Sequence, residues 1–143
     1  MTGTVVDASV TLAWCFPDEI SDYADDVLIG LEGKTILVPT VWCLEIANAV
    51  LVGERKRRLG QPEIRRFTSL LEGLPLVQDT RPLRDHLSSV LPLARDYSLS
   101  AYDASYLELA IRHAAPLATL DRKLQKAAKH AGVRVFAVEK HGQ

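Results

Sequence analysis

Short apolar runs alternate with longer amphipathic runs along this chain, and this alternation constrains the fold more than any other feature. The short runs are apolar on consecutive positions, as in TILV and LATL, instead of alternating with polar residues. A strand that is apolar on both faces must be covered on both faces, which is typical of parallel sheets. The pattern predicts an α/β fold, a three-layer α/β/α sandwich with a short, mainly parallel sheet of four or five strands. Strands are predicted at residues 4–6, 35–38, 76–77, 117–120 and 133–138.

Amphipathic segments between these runs predict the helices. They cover residues 8–16, 21–31, 41–57, 62–71, 83–96, 101–113 and 122–131. Pro17 is expected to end the first helix, and Thr40 is expected to cap the third. The length of 143 residues suits a single domain over 1–143, with no linker or low-complexity run to divide it.

Composition narrows the function classes and the cellular location. The net charge of −1 gives no overall basic field for coating nucleic acid, although one local RNA site remains possible. Cys15 and Cys43 stand in apolar surroundings without metal-ligand spacing, so both are predicted to be buried small hydrophobes. No signal peptide and no stretch long enough to span a bilayer is recognisable, so we expect a cytoplasmic protein without membrane contact.

Four acidic residues are predicted to meet at one edge of the sheet. Asp7 and Asp121 follow strands directly, and Glu45 and Asp103 stand near the starts of helices. In right-handed βα units, strand carboxyl ends and helix amino ends share one edge, where ligands usually bind. The same positions also suit local roles, since Asp7 and Asp121 are good N-caps and Ser100 with Asp103 resembles a capping box.

Four close carboxylates need a neutralising partner, because like charges raise one another's pKa. Helix amino ends offset this by no more than about 1–2 kcal/mol each. No Lys or Arg adjoins Asp7, Glu45 or Asp103, and Glu45 lies on a mostly apolar helix face where a lone charge is costly. Hard carboxylate oxygens favour Mg²⁺ or Mn²⁺ over zinc. Polar side chains that would orient the acids are Ser9, Asn48 and Thr119.

A carboxylate-bound divalent cation suits phosphodiester hydrolysis. The cation activates water and offsets charge on the attacked phosphate, while a carboxylate orients the nucleophile or takes its proton. The chain has no Gly-rich phosphate loop, which argues against nucleoside triphosphate binding. It also lacks an Asp-x-Asp pair after the first strand, as found in aspartyl-phosphate phosphatases.

Four segments in order, VVDASV, LEIANAV, LSAYDASYLELA and ATLDRKL, resemble the motifs of PIN-domain ribonucleases, in particular the VapC-type toxins of VapBC toxin–antitoxin pairs. The resemblance implies an endoribonuclease toxin whose acidic quartet, Asp7, Glu45, Asp103 and Asp121, is catalytic and binds Mg²⁺ or Mn²⁺. Ser9, Asn48 and Thr119 match polar positions that accompany the quartet. The resemblance also implies homodimerisation and inhibition by a small antitoxin that wraps the toxin. A metal-dependent DNA nuclease or phosphatase on this fold, or a non-catalytic PIN-like binding module, remains the alternative.

Other side chains have a local and a functional interpretation. The basic run Arg55, Lys56, Arg57 and Arg58 either complements a helix carboxyl end or contacts the RNA backbone. Trp14 and Trp42 are expected in the core, with base stacking as the alternative. Apolar helix faces between residues 21 and 71 are expected to receive the antitoxin. No role in metal binding is assigned to His86, His113, His130 or His141.

Overall fold

A four-stranded parallel sheet forms the centre of the molecule in a computed structural model, which describes residues 3–137. The strands are β1 (Gly3–Val6), β2 (Thr35–Val38), β3 (Leu76–Gln78) and β4 (Leu117–Ala118). Their spatial order is β3-β2-β1-β4, with Val5 of β1 paired to Leu37 on one side and to Leu117 on the other. The chain therefore builds the sheet outward from β1 in one direction and then returns to the opposite side of β1 for β4.

Helices cover the sheet, which confirms the predicted α/β/α architecture. They are α1 (Ala8–Ala13), α2 (Asp22–Gly30), α3 (Trp42–Arg55), α4 (Gln61–Glu72), α5 (Leu83–Asp85), α6 (Leu91–Tyr97), α7 (Ala101–His113) and α8 (Arg122–His130). A π-helical turn, His86–Val90, joins α5 to α6. Strands β1 and β2 are apolar on successive positions because both sheet faces are covered there, and Val5 and Ile36 are almost fully buried, whereas Val77 of the edge strand β3 is exposed.

Helix α7 is the most deeply placed helix, with every residue of 104–110 buried. A helix that is covered on all sides packs against several elements at once, and α7 contacts β1, β2, β4 and α8. Its buried Glu108 accepts hydrogen bonds from Arg81 at 2.6 Å and from Arg112 at 2.8 Å. Arg112 also binds Asp79 at the end of β3, so an ion-pair network fixes α7 to that end of the sheet.

Several predicted boundaries are wrong for local physical reasons. The predicted last strand is reduced within residues 133–137 to one parallel bridge between Val135 and Leu117, and Val138 lies outside the described residues. Helix α1 ends at Ala13, before the predicted stop at Pro17. Thr40 does not cap α3, because its hydroxyl donates to the Asp79 carbonyl at 2.9 Å.

Two further helices also depart from their predicted extents. Helix α3 ends at Arg55 because Arg57 takes a left-handed conformation with φ of 59°. The predicted helix over 83–96 is interrupted by the π-helical turn. Pro92, which follows this turn, lacks the amide hydrogen that an unbroken α-helix would use there.

The two cysteines differ in environment. Cys15 is buried, as predicted, and burial raises the pKa of its thiol to about 11. Cys43 is exposed on α3, so the prediction that both are buried is wrong for this residue. Its neighbour Trp42 is buried and supplies the core contact at this point, which confirms the core interpretation of that tryptophan. No helix within residues 3–137 combines the length and apolar character needed to cross a bilayer.

Gly53 is required by the packing of α3, and we predict that Gly53→Ala destabilises the protein. An added Cβ would lie 2.5 Å from Cε1 of Phe16, a contact that forces the ring to move. The Arg58 guanidinium also packs over the face of that ring, with its central carbon 4.1 Å from the ring centroid. We expect the free energy of unfolding to fall by about 1–3 kcal/mol, measured by urea denaturation.

Gly73→Ala is the matched control, since a Cβ there meets its first neighbour, the Leu70 carbonyl, at 3.5 Å. We expect the stability of this variant to be unchanged or slightly raised. Equal stability losses in the two variants would contradict the packing argument at Gly53.

Candidate active site

The carboxyl end of the sheet contains a topological switch point between β1 and β4. Successive strands run from β1 toward β2 and β3, and β4 then lies on the opposite side of β1. Crevices at such points are the usual ligand sites of parallel sheets. Asp7 directly follows β1, and Asp121 follows β4 after a short turn. Glu45 lies in the first turn of α3, and Asp103 lies in the first turn of α7, as their predicted positions near helix starts require.

Asp7 is the most buried of the four acids, with 5% of its surface exposed. Its Oδ1 accepts from the Ser9 hydroxyl at 2.6 Å and from the Val10 amide at 3.1 Å, and its Oδ2 accepts from the Thr119 hydroxyl. Burial raises the pKa of this carboxyl to about 6 although these hydrogen bonds lower it, and repulsion from Asp103 raises it further. Asp7 is thus a strongly held carboxylate in a site that disfavours its charge.

Ser9 and Thr119 orient Asp7 and join the ends of β1 and β4. The Ser9 hydroxyl accepts from the Leu120 amide at 2.9 Å, and the Thr119 hydroxyl accepts from the Asp121 amide at 3.0 Å. Since each hydroxyl accepts from a backbone N–H, its own proton is directed at Asp7. The predicted contacts of both residues with the acids are therefore present.

Asp121 acts as an N-cap, one of the two roles predicted for it. Its Oδ1 accepts from the amides of Lys123 at 2.9 Å and Leu124 at 3.3 Å. These bonds fix the carboxyl at the start of α8 and do not use Oδ2. Capping and cation binding are therefore compatible at this residue.

Glu45 is half-buried, and its partner is Tyr106 of α7. The Tyr106 hydroxyl donates to Oε1 of Glu45 at 2.6 Å. Burial raises the pKa of Glu45, the hydrogen bond from Tyr106 opposes that rise, and repulsion from Asp103 adds to it. The first turn of α3 is also tied to α1, because Trp42 Nε1 donates to the Thr11 hydroxyl at 3.1 Å. Thr11 in turn donates to the main-chain carbonyl of Asp7 at 2.9 Å.

Asp103 interacts electrostatically with each of the other three acids. Burial raises its pKa and repulsion from Asp121 adds to this, while Ser100 and Lys123 act in the opposite direction. Charge on Asp103 in turn raises the pKa of both Asp7 and Glu45. All four acids thus lie within electrostatic range at one edge of the sheet. The Ser100 hydroxyl accepts from the Asp103 amide at 3.1 Å, so the predicted N-cap of α7 is present as well.

The donor set fits a hard divalent cation. The four acids take no part in the salt bridges found within residues 3–137. Over the same residues, no three or more His, Cys, Asp or Glu side chains are grouped closely enough to hold a metal ion. Mg²⁺ does not require such a group, because it retains several waters and binds proteins through one or two carboxylates. An oxygen-only site of mutually repelling carboxylates that is open to water matches that preference.

Some predicted residues are placed differently. Asn48 is exposed on α3 and forms no hydrogen bond to the four acids within the described part of the chain. Arg58 binds Asp18 through two hydrogen bonds, at 2.9 and 3.1 Å, and also reaches Glu19 at 3.2 Å. It is therefore engaged within the molecule, which disagrees with its predicted availability for RNA.

Sequence reasoning missed Tyr106 and Lys123 as parts of the site. A signal for Tyr106 was present, because it follows Asp103 by three residues and so shares a helix face with it. Lys123 follows Asp121 closely in sequence, but its effect on Asp103 depends on the packing of α8 beside α7. Such a contact cannot be read from local spacing.

Comparison with known protein families agrees with this arrangement. A protein-family model described as the PIN domain matches residues 4–130. The chain belongs to the PIN domain family. PIN domains are typically nucleases, and the match spans all four acids. No curated protein matches this PIN domain.

Solved structures share the fold of this PIN domain. PAE2754 from Pyrobaculum aerophilum is 26% identical with a TM-score of 0.65, and the match covers 88% of this chain and 79% of that one. FitAcB from Neisseria gonorrhoeae is 16% identical with a TM-score of 0.61, covering 94% and 96%. A toxin–antitoxin complex from Klebsiella pneumoniae is 18% identical with a TM-score of 0.56, covering 85% and 89%.

Proposed function

We propose that this PIN domain is a Mg²⁺- or Mn²⁺-dependent endoribonuclease and the toxin of a type II toxin–antitoxin pair. The observation that supports this most strongly is that Asp7, Glu45, Asp103 and Asp121 lie together at the carboxyl edge of the sheet. Burial raises the pKa of Asp7, Glu45 and Asp103, and repulsion between neighbouring acids adds to this rise. Ionised carboxylates in such surroundings cost stability, and a catalytic role explains why they are present. Members of this family are typically nucleases, which agrees with such a role.

The four acids have different roles in the proposed hydrolysis. A bound cation supplies an activated water and offsets negative charge on the scissile phosphate. Asp7 already accepts three hydrogen bonds and is buried, so it serves as a fixed ligand. Asp103 is partly exposed and has a raised pKa, which suits it to orient the attacking water and take its proton. Glu45 and Asp121 would complete the set of carboxylates that hold the cation.

A panel of substrates tests this proposal against the other functions. The purified protein is incubated with a single-stranded RNA, a DNA of the same sequence and p-nitrophenyl phosphate, each with Mg²⁺, with Mn²⁺ or with EDTA. We expect metal-dependent cleavage inside the RNA only. Cleavage of DNA would identify a DNA nuclease, and release of p-nitrophenol a phosphatase. Inactivity on every substrate at millimolar Mn²⁺ would favour a non-catalytic binding module.

The exposed basic residues Arg55, Lys56 and Arg57 are the proposed RNA contact. They lie at the end of α3, about 15 Å along the helix from Glu45 at 1.5 Å per residue. Arg58 is left out because it binds Asp18. A longer RNA that follows α3 would reach both the basic residues and the acidic edge.

We also propose that an antitoxin peptide occupies the apolar groove between α3 and α4. The groove has a volume of about 590 Å³ and is lined by Ile46, Val50, Ile64, Phe67 and Leu71. One solved structure of similar fold is a toxin–antitoxin complex from Klebsiella pneumoniae, and an amphipathic helix in an apolar groove is a common mode of peptide binding.

Thr68→Arg is predicted to block antitoxin binding without affecting hydrolysis. Thr68 is exposed and lines the groove, whereas the neighbouring Ser69 is exposed but does not line it. Co-expression with the proposed antitoxin should restore growth for the unsubstituted chain and for Ser69→Arg, and fail for Thr68→Arg. Equal growth of the two variants would contradict the choice of groove.

Homodimerisation is the remaining part of the proposal. Leu83 and Leu87 lie one helical turn apart at the start of the α5–α6 segment and are 71% and 55% exposed. Neighbouring exposed leucines of this kind are typical of a surface covered by another chain. Light scattering of the purified protein distinguishes a dimer from a monomer.

A further inference from the structure

Tyr106 connects two of the helices that carry the acidic site. Its side chain is 1% exposed, and its hydroxyl donates to Oε1 of Glu45 at 2.6 Å. Glu45 belongs to α3, while Tyr106 belongs to α7, as does Asp103 one turn earlier. The hydrogen bond therefore fixes Glu45 relative to the helix that holds Asp103.

The phenol limits Glu45 to one arrangement. A glutamate side chain is flexible, and ordering it costs rotamer entropy. The Tyr106 ring is enclosed by the core, so its hydroxyl cannot follow a moving carboxylate. The bond uses Oε1 alone, and within residues 3–137 no donor reaches Oε2. One carboxylate oxygen is thus held in place while the other remains available.

We propose that Tyr106 is a positioning residue for the metal site, whose hydroxyl holds Glu45 beside Asp103 so that Oε2 can bind the divalent cation. This inference rests on the proposed function, because it assigns Glu45 to the cation. It goes beyond the acidic quartet by making a neutral, buried phenol part of the machinery. Hydrogen-bond partners that orient metal ligands typically change affinity by about 10- to 100-fold when they are removed.

A purely structural role for Tyr106 makes a different prediction. A buried phenol usually requires an acceptor, and Glu45 would satisfy the hydroxyl without any benefit to a cation. In that case Tyr106→Phe would change the melting temperature and leave cation affinity unchanged. Cation affinity is therefore the quantity that separates the two roles.

The test is a titration of the full chain with Mn²⁺, in which electron paramagnetic resonance measures the concentration of free Mn²⁺. Tyr106→Phe is expected to weaken Mn²⁺ binding by about 10-fold, while Tyr97→Phe is expected to bind as the unsubstituted protein does. Tyr97 is a partly buried tyrosine that forms no hydrogen bond to the four acids within the described residues. In the Glu45→Ala background, Tyr106→Phe should have no further effect, because it acts through Glu45.

Each outcome decides a separate claim. Failure of the unsubstituted protein to bind Mn²⁺ would overturn the metal site and this inference together. Tight binding by both the unsubstituted protein and Tyr106→Phe would overturn the role of Tyr106 alone, as would additive losses in the double variant. If Tyr106→Phe does not fold, Glu45→Asp replaces it in the test. The shorter carboxylate keeps its charge but no longer reaches the Tyr106 hydroxyl. Unweakened Mn²⁺ binding by Glu45→Asp would then overturn the inference.

Discussion

Asp7→Asn is expected to lower the rate of RNA hydrolysis by more than about 100-fold and to abolish growth arrest on expression. Loss of a residue that only orients a metal ligand costs about 10- to 100-fold, so loss of the central ligand should cost more. Asparagine preserves the size of the side chain, and its carbonyl can still accept from the Val10 amide. We therefore expect a folded protein that lacks the negative charge needed to bind the cation.

Asp26→Asn is the control for this variant. Asp26 is exposed on α2, so its neutralisation changes the net charge by the same amount away from the acidic edge. Initial rates on RNA at saturating Mn²⁺ should match those of the unsubstituted protein for Asp26→Asn only. Asp7→Asn with more than a tenth of the original rate and undiminished growth arrest would contradict the assigned mechanism.

The second large expected effect is a fall in the stability of the metal-free protein as pH rises. The pKa of Asp7 is about 6 in the folded state, whereas its ordinary value, which applies in the unfolded chain, is 3.8. Between these pH values the folded state binds more protons than the unfolded state, so the free energy of unfolding decreases as pH rises. Two pKa units correspond to about 3 kcal/mol for this one carboxyl, lost between about pH 4 and pH 6.

Urea denaturation in EDTA from pH 4 to pH 8 measures this effect. The relevant quantity is the difference in the free energy of unfolding between Asp7→Asn and the unsubstituted protein. It should increase in favour of the variant through this pH range, because asparagine has no charge to bury. Glu45 and Asp103 also have raised pKa values and contribute a loss in the same direction to both proteins. A difference that does not vary with pH would show that the burial of Asp7 has no electrostatic cost.

Strands β1 and β2 and helix α7 were predictable because local pattern and tertiary packing agree. Helix α7 begins and ends at the predicted residues, with Ser100 as its N-cap and a left-handed Ala114 at its carboxyl end. The edge of the sheet was harder to predict. Residues 133–137 have an apolar pattern that favours a strand, yet they form one bridge to β4, which is itself short. Strand length at a sheet edge depends on the neighbour as much as on the sequence.

The shared position of the four acids was predictable, because right-handed connections between parallel strands bring strand carboxyl ends and helix amino ends to one edge of the sheet. The contacts of Ser9 and Thr119 with the acidic site were predictable from their spacing of two residues from Asp7 and Asp121. Asn48 shares a turn with Glu45 but is exposed, since the spacing on a helix does not fix which side the core occupies. Contacts between residues distant in sequence could not be predicted. The bond of Tyr106 to Glu45 spans 61 residues, and that of Arg58 to Asp18 spans 40.

Diffraction from crystals grown with Mn²⁺, recorded where manganese scatters anomalously, tests the central claim most directly. The account predicts one or more anomalous peaks within about 2.5 Å of carboxylate oxygens from at least two of Asp7, Glu45, Asp103 and Asp121. An occupied manganese site elsewhere on the molecule, or no peak at this edge at millimolar Mn²⁺, would contradict it.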